Sequence, residues 1–147
     1  MFQTALTYAQ IEVFYATDRK ATGSTLPSDM FGTERDPVGL LSYGRCRVSI
    51  PREHRMGALE APRLLKLQFS ADPTKHVVLL SVIPEEKSEF LSSVCKELEL
   101  SSLHECLIFI HGYNVSFEDA ARRTAQIAYD LAFDGVRYVH RLQLNGC

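Results

Sequence analysis

The chain has 147 residues, 46% of them hydrophobic and 23% charged, a balance that supports a packed core and excludes wholesale disorder. A formal charge of -2 and a pI near 6.2 exclude a strong long-range pull toward nucleic acid or an anionic membrane surface. The length suits one domain, 1–147, able to bury roughly 70% of the surface of its unfolded chain.

The opening residues, Met1-Phe2-Gln3-Thr4-Ala5-Leu6-Thr7, lack a basic stretch, and Gln10 and Glu12 interrupt the apolar residues behind them. They do not read as a secretory signal. No segment approaches the roughly 20 apolar residues of a membrane span, so no membrane partner is expected. Residues 11–17 are β-branched and aromatic and predict a strand ended by Asp18-Arg19-Lys20. Gly23, Pro27, Gly32, Pro37 and Gly39 punctuate a charged stretch that predicts a long loop over 21–41. Residues 43–50 alternate at period two from Cys46, with Pro51 closing a second strand. A polar, turn-like stretch over 52–63 precedes Leu65-Lys66-Leu67-Gln68-Phe69, whose alternation predicts a half-buried strand. The nearly continuous apolar run at 76–83, between Asp72-Pro73 and Pro84, predicts another.

Two helices follow from helical spacing. Over 85–98, Phe90, Leu91, Val94, Cys95 and Leu98 share a stripe, and Pro84 suits a helix start. The second helix, over 117–133, opens with Ser116 and Asp119 in an S-x-x-D capping pattern. Glu118 with Arg122 and Asp119 with Arg123 are acid-before-base pairs four apart. Phe117, Ala120, Ala121, Thr124, Ile127, Ala128 and Leu131 form its buried stripe, and Gly135 offers the stop. Between the helices, Cys106-Leu107-Ile108-Phe109-Ile110 is short and unbroken, as in a central strand covered on both faces, which predicts burial of residues 107–110. The alternation of strands and helices predicts an α/β sheet, with right-handed crossovers making its last part parallel.

The order apolar strand, His111-Gly112-Tyr113-Asn114, capped helix has a mechanical logic. Ligands of parallel α/β sheets bind beyond the carboxyl ends of the strands. Gly112 permits an abrupt turn and close backbone approach, and free N–H groups backed by a helix N-terminus stabilise developing negative charge. The same residues also fit a tight strand-to-helix turn in which His111 bonds to backbone and Asn114 is left-handed. The local pattern leaves both open.

Residues 108–123, Ile-Phe-Ile-His-Gly-Tyr-Asn-Val-Ser-Phe-Glu-Asp-Ala-Ala-Arg-Arg, closely resemble an α/β-hydrolase family catalogued as a domain of unknown function. Two further segments are similar to its pattern: Val13-Phe14-Tyr15-Ala16-Thr17-Asp18-Arg19, and Tyr43-Gly44-Arg45-Cys46-Arg47-Val48-Ser49-Ile50-Pro51 with His54 and Gly57 behind. The resemblance covers about 11–135, is loose over 22–41, and leaves 136–147 as a divergent tail. It implies the N-terminal part of an α/β-hydrolase fold: a mostly parallel central sheet flanked by helices, with antiparallel N-terminal strands. It also implies serine-hydrolase chemistry of esterase or lipase type on a small-molecule ester or amide. His111, Gly112, Tyr113 and Asn114 would then form the oxyanion and substrate-binding loop.

Such enzymes place a serine on a G-x-S-x-G-like elbow, followed by an acid and a histidine. No glycine here is followed by another four residues later, and the resemblance sets the elbow beyond residue 147. The expected Ser-Trp-Pro-like turn after Gly135 is also missing, and the chain has no tryptophan. These residues alone are therefore expected to be inactive, with a non-catalytic or degenerate binding fragment as the alternative. An exposed sheet edge, with self-association through it, is the accompanying expectation.

Other chemistries fit less well. Cys46 to Arg52 has the C-x5-R spacing of cysteine phosphatases, but Val48 and Ile50 are stiff strand formers and Pro51 lacks an N–H donor, so a phosphate cradle is not expected. His54, His76, His104, His111 and His140 show no paired ligand spacing, so neither a metal nor a cofactor is expected. Cys46, Cys95, Cys106 and Cys147 contain no C-x-x-C pair and read as reduced thiols in a cytoplasmic protein.

Overall fold

The computed structural model describes residues 7–56, 71–112 and 114–140. In chain order these form β1 (Tyr8–Thr17), β2 (Arg19–Ala21), a 3-10 turn at Pro27–Asp29, β3 (Phe31–Arg35), β4 (Ser42–Pro51), β5 (Val78–Glu85), α1 (Lys87–Leu100), β6 (Cys106–Ile110), α2 (Phe117–Asp130) and β7 (Val136–His140). Among the described residues the main sheet has five strands in the order β5-β4-β1-β7-β6. β4 pairs antiparallel with β1 and β5 antiparallel with β4, whereas β7 lies parallel to both β1 and β6. The sheet is thus mixed, antiparallel in its first half and parallel in its second.

Alternation along β1 decides which face receives which helix, because successive strand residues point to opposite sides. Val13 and Tyr15 are fully buried with Cys46, Val48 and Ile50 of β4 and with Phe117, Ala120, Ala121 and Ala125 of α2. Phe14 points the other way, into a smaller cluster with Phe90 of α1 and Val136 of β7. Burying Val48 and Ile50 contributes about 1.5–3 kcal/mol each. Gly44 lies opposite Tyr15 in the β1–β4 register, and a Cβ there would meet the Ile83 carbonyl and the Tyr15 hydroxyl. The bare glycine is what lets the tyrosine ring cross the neighbouring strand.

Several expectations need correction. The stretch 21–41 is not one loop: β2 and β3 pair as a small antiparallel ribbon, anchored by the buried Phe31 and by an Arg35 to Asp18 ion pair of 2.7 Å. Pro84 lies inside β5 opposite Gly44, tolerable because β5 has no outer neighbour among the described residues, and α1 starts only at Lys87. On α1 the stripe is narrower than its spacing implies. Phe90 is buried and Val94 and Leu98 pack beside it, but Leu91 and Cys95 are exposed.

The largest correction concerns Cys106–Ile110. It is a strand with those bounds, but among the described residues it lies at the edge of the sheet, not the interior, with Ile108 56% and Ile110 53% exposed. The interior position goes to β7, part of the stretch read as a divergent tail, which threads between β1 and β6. An unbroken apolar run does not distinguish a strand with two neighbours from an edge strand with one uncovered face. The alternating segment 65–69 lies outside the described residues.

Helix α2 keeps its capped start and loses parts of the expected detail. Ser116 Oγ accepts from the Asp119 N–H at 3.0 Å, while Leu131 is exposed and Ile127 only half-buried. Arg122 turns inward instead of reaching Glu118: its Nε donates to the Val77 carbonyl at 2.8 Å and its Nη1 lies 3.3 Å from Asp119. Arg123 bonds Gln126 rather than Asp119. The stop is Ala132, left-handed at φ 48°, with the Phe133 N–H closing on the Ala128 carbonyl at 2.9 Å. Gly135 has another duty, since a Cβ there would lie 2.5 Å from the Glu105 carbonyl.

Candidate functional site

The carboxyl ends of β1, β7 and β6 lie side by side. Their register aligns Ala16 with His140 and His140 with Ile110. Beyond that row emerge Asp18-Arg19 from β1 and His111-Gly112 from β6, so the two segments meet at the end of the sheet where parallel folds bind ligands.

The loop from His111 to Ser116 is held from several sides. Ser116 caps α2, and Phe117 sits in an aromatic cluster with Tyr15 at 5.1 Å and Phe31 at 4.7 Å between ring centroids. These contacts bury the start of α2 against β1 and the β2–β3 ribbon, and they orient its positive end toward the loop. Arg19 supplies a polar counterpart. Its side chain is buried, one guanidinium nitrogen donates to the Gly32 carbonyl at 3.1 Å, and the other donates to the Val115 carbonyl. Asp18 in turn pairs with Arg35, and its carbonyl accepts from the Asp36 N–H at 2.7 Å.

Within the loop, His111 Nδ1 lies 3.0 Å from the Gly112 carbonyl and Asn114 is left-handed at φ 59°. Both features of the tight-turn reading are therefore present. Gly112 has a different standing. Its φ is not in the left-handed region, and an added Cβ would meet nothing within 4 Å, so neither backbone conformation nor packing within the described chain requires a glycine there. Among the described residues, nothing crowds the loop at this point. Tyr113 lies outside the described residues.

Of the serines weighed as nucleophiles, Ser49 and Ser116 are engaged in structural hydrogen bonds and Ser81 lies far from the loop. Ser49 is fully buried in β4 and accepts from the Val78 N–H at 3.2 Å; Ser116 is occupied as the cap; Ser81 lies on β5, at the opposite edge of the sheet. Cys46 is a buried strand residue whose Sγ faces the Val13 carbonyl at 3.4 Å, and burial pushes its thiol far above the ordinary range. Burial likewise raises the Tyr15 hydroxyl, with Cys46 and Glu85 adding to the effect. Neither is a nucleophile at neutral pH. Among the described residues no three His, Cys, Asp or Glu side chains are placed to hold a metal ion, and no helix is long and apolar enough to cross a membrane.

The roles of Arg19 and Phe31 in this site were not legible. Asp18-Arg19-Lys20 reads as the charged end of a strand, and Phe31 lies in a stretch that reads as loop. The available signal was the similarity of residues 13–19 to the family pattern, which singles out the segment carrying Arg19 without saying what it touches.

Residues 86–140 match the model of a family described as alpha/beta hydrolase of unknown function (DUF900). The match runs from the cap of α1 through β6, the His111–Ser116 loop and α2 to the end of β7, so this segment is alpha/beta-hydrolase-like. It extends past Gly135 into the supposed tail, and the segments at 13–19 and 43–51 lie outside it. No curated protein matches the chain, and no solved structure does.

Proposed function

We propose that the chain supplies the oxyanion-stabilising loop of a serine-hydrolase-type α/β-hydrolase, esterase- or lipase-like, acting on a small-molecule ester or amide. The observation that carries this reading is Gly112: a glycine with no positive φ and no described residue within 4 Å of an added Cβ, between the end of a parallel strand and the capped start of α2. Attack on an ester carbonyl turns its oxygen into an oxyanion. Backbone N–H groups of the loop, with Tyr113 and Asn114, would stabilise that charge, each donor contributing about 2.7–4 kcal/mol in a water-excluded site. His111, half-buried and engaged with its neighbour's carbonyl, shapes the loop rather than acting as a base. The nucleophile is not among the serines described above, so these residues alone stabilise charge without attacking the carbonyl.

A non-catalytic binding role is the second reading, favoured by the engagement of Ser49 and Ser116 in structural hydrogen bonds. Titration with methylphosphonate, a tetrahedral anion, separates the two when followed by backbone amide shifts. The oxyanion reading expects shifts confined to residues 111–117 and tighter binding than that of a planar ester such as methyl acetate. Equal affinity favours the binding role, and no shift in the loop overturns both. In parallel, p-nitrophenyl acetate should show no turnover above background. Specific fluorophosphonate labelling of a serine, lost in its alanine variant, would refute the claim that attack comes from elsewhere.

A further inference from the structure

We propose that Arg19 is the positioning residue of the 111–116 loop, its buried guanidinium holding the Val115 peptide against the end of β1 and thereby setting where the loop's N–H groups stand. Arg19 and Val115 are 96 positions apart in sequence, so this bond is a tertiary decision and not a consequence of the local turn. Arginine suits the task because its planar fork can serve two acceptors at once, here the Val115 and Gly32 carbonyls, which ties the loop to β3 as well as to β1. Directing the Val115 carbonyl into a buried guanidinium also keeps an acceptor out of a loop whose proposed work is donation. Because the peptide is trans and planar, fixing that carbonyl fixes the Ser116 N–H on its opposite side. The aromatic packing of Phe117 with Tyr15 and Phe31 sets the helix start apolarly; Arg19 sets the residue two positions before it.

The consequence for catalysis rests on the oxyanion reading, whereas the positioning itself does not. The test is amide hydrogen exchange on the full chain. In Arg19→Met, amides 112 and 114–118 should exchange about tenfold faster, the scale of one lost charge-assisted hydrogen bond, while amides in the β1–β4 ladder keep their protection. Arg19→Lys retains the charge but reaches only one carbonyl, and should fall between the two. Unchanged loop exchange in a folded Arg19→Met, or equal acceleration of loop and ladder, overturns the proposal. Should that variant not fold, the unmodified chain decides: its Arg19 guanidinium protons must appear as slowly exchanging resonances with NOEs to Val115 and Gly32, and their absence overturns it equally. Failure of the oxyanion reading alone would instead appear as a silent methylphosphonate titration beside an intact exchange result.

Discussion

His54 Nε2 lies 2.8 Å from Asp130 Oδ1, joining the turn after β4 to the last turn of α2. The imidazole is 2% exposed and the carboxylate 12%, and the other Asp130 oxygen accepts from Gln126 at 2.9 Å. A histidine–aspartate pair invites a catalytic reading, but its place excludes it from the His111 loop. β4 runs opposite to β1, so Pro51 pairs with Tyr8 and His54 stands near the amino end of the parallel strands. Helix α2 begins at the loop and Asp130 is the last of its 14 residues, about 20 Å away at 1.5 Å per residue. The pair is a fastener. His54→Ala should lower stability by about 1–2 kcal/mol by removing one hydrogen bond from a largely buried carboxylate that keeps its bond from Gln126, and His54→Gln should cost less. Urea denaturation measures this; a loss below about 0.5 kcal/mol, the scale of a neutral surface change, would show that the pair is not structural.

Glycine positions give predictions of opposite sign. Gly44→Ala and Gly135→Ala force a Cβ against backbone carbonyls, and each should destabilise by about 1–3 kcal/mol. Gly112→Ala meets no described residue within 4 Å and should leave the melting temperature unchanged while weakening methylphosphonate binding. Ala132→Gly should stabilise by roughly 1 kcal/mol, because the left-handed residue that ends α2 carries a Cβ penalty that glycine avoids. Thermal and urea denaturation of the four variants test these signs together.

Among the described residues Cys106–Ile110 is an edge strand with no charge or proline to discourage pairing, and Ile108 and Ile110 are exposed on one face. Such an edge templates another chain. Sedimentation velocity should show the weight-average mass rising with concentration, and Ile108→Lys with Ile110→Lys should suppress the rise. A monomer across the accessible concentration range would count against this edge as an association surface.

Thiol reactivity follows from burial. Cys95 should react readily with iodoacetamide under native conditions. Cys106 should react more slowly, since partial burial raises its thiol, and Cys46 only on unfolding. Peptide mapping after timed labelling gives the order, and early modification of Cys46 would contradict the β1–β4 core.

The turn before β5 should respond to acid. Asp72 accepts from the Thr74 N–H at 2.9 Å and from its hydroxyl at 2.7 Å, and these bonds hold its carboxyl below the ordinary range. A lowered folded-state value means that the contribution is present at neutral pH and is lost as pH falls through that value. The Thr74 amide resonance should therefore titrate below the usual aspartate midpoint of about 3.9, and Asp72→Asn should abolish the transition.

Local chemistry made much of this protein legible from its residues. The Ser116 cap, the start of α2, the span of β6 and the alternation of Cys46, Val48 and Ile50 all depend on neighbours within a few positions, so sequence spacing reports them directly. The bond from His111 to backbone and the left-handed Asn114 were legible for the same reason, as one of two readings the local pattern left open. What spacing does not carry is which strand lies beside which. The placement of β7 between β1 and β6 left an apolar strand expected in the interior at the edge of the described sheet. It also made a supposed tail the centre of the parallel half. Equally, Arg122 could pair outward with Glu118 or inward with the Val77 carbonyl, and only the packed sheet chose the second. Arg19 is the sharpest case: as a sequence feature it ends a strand, and only the fold brings it to Val115, because the strands carrying the two segments end at the same side of the sheet.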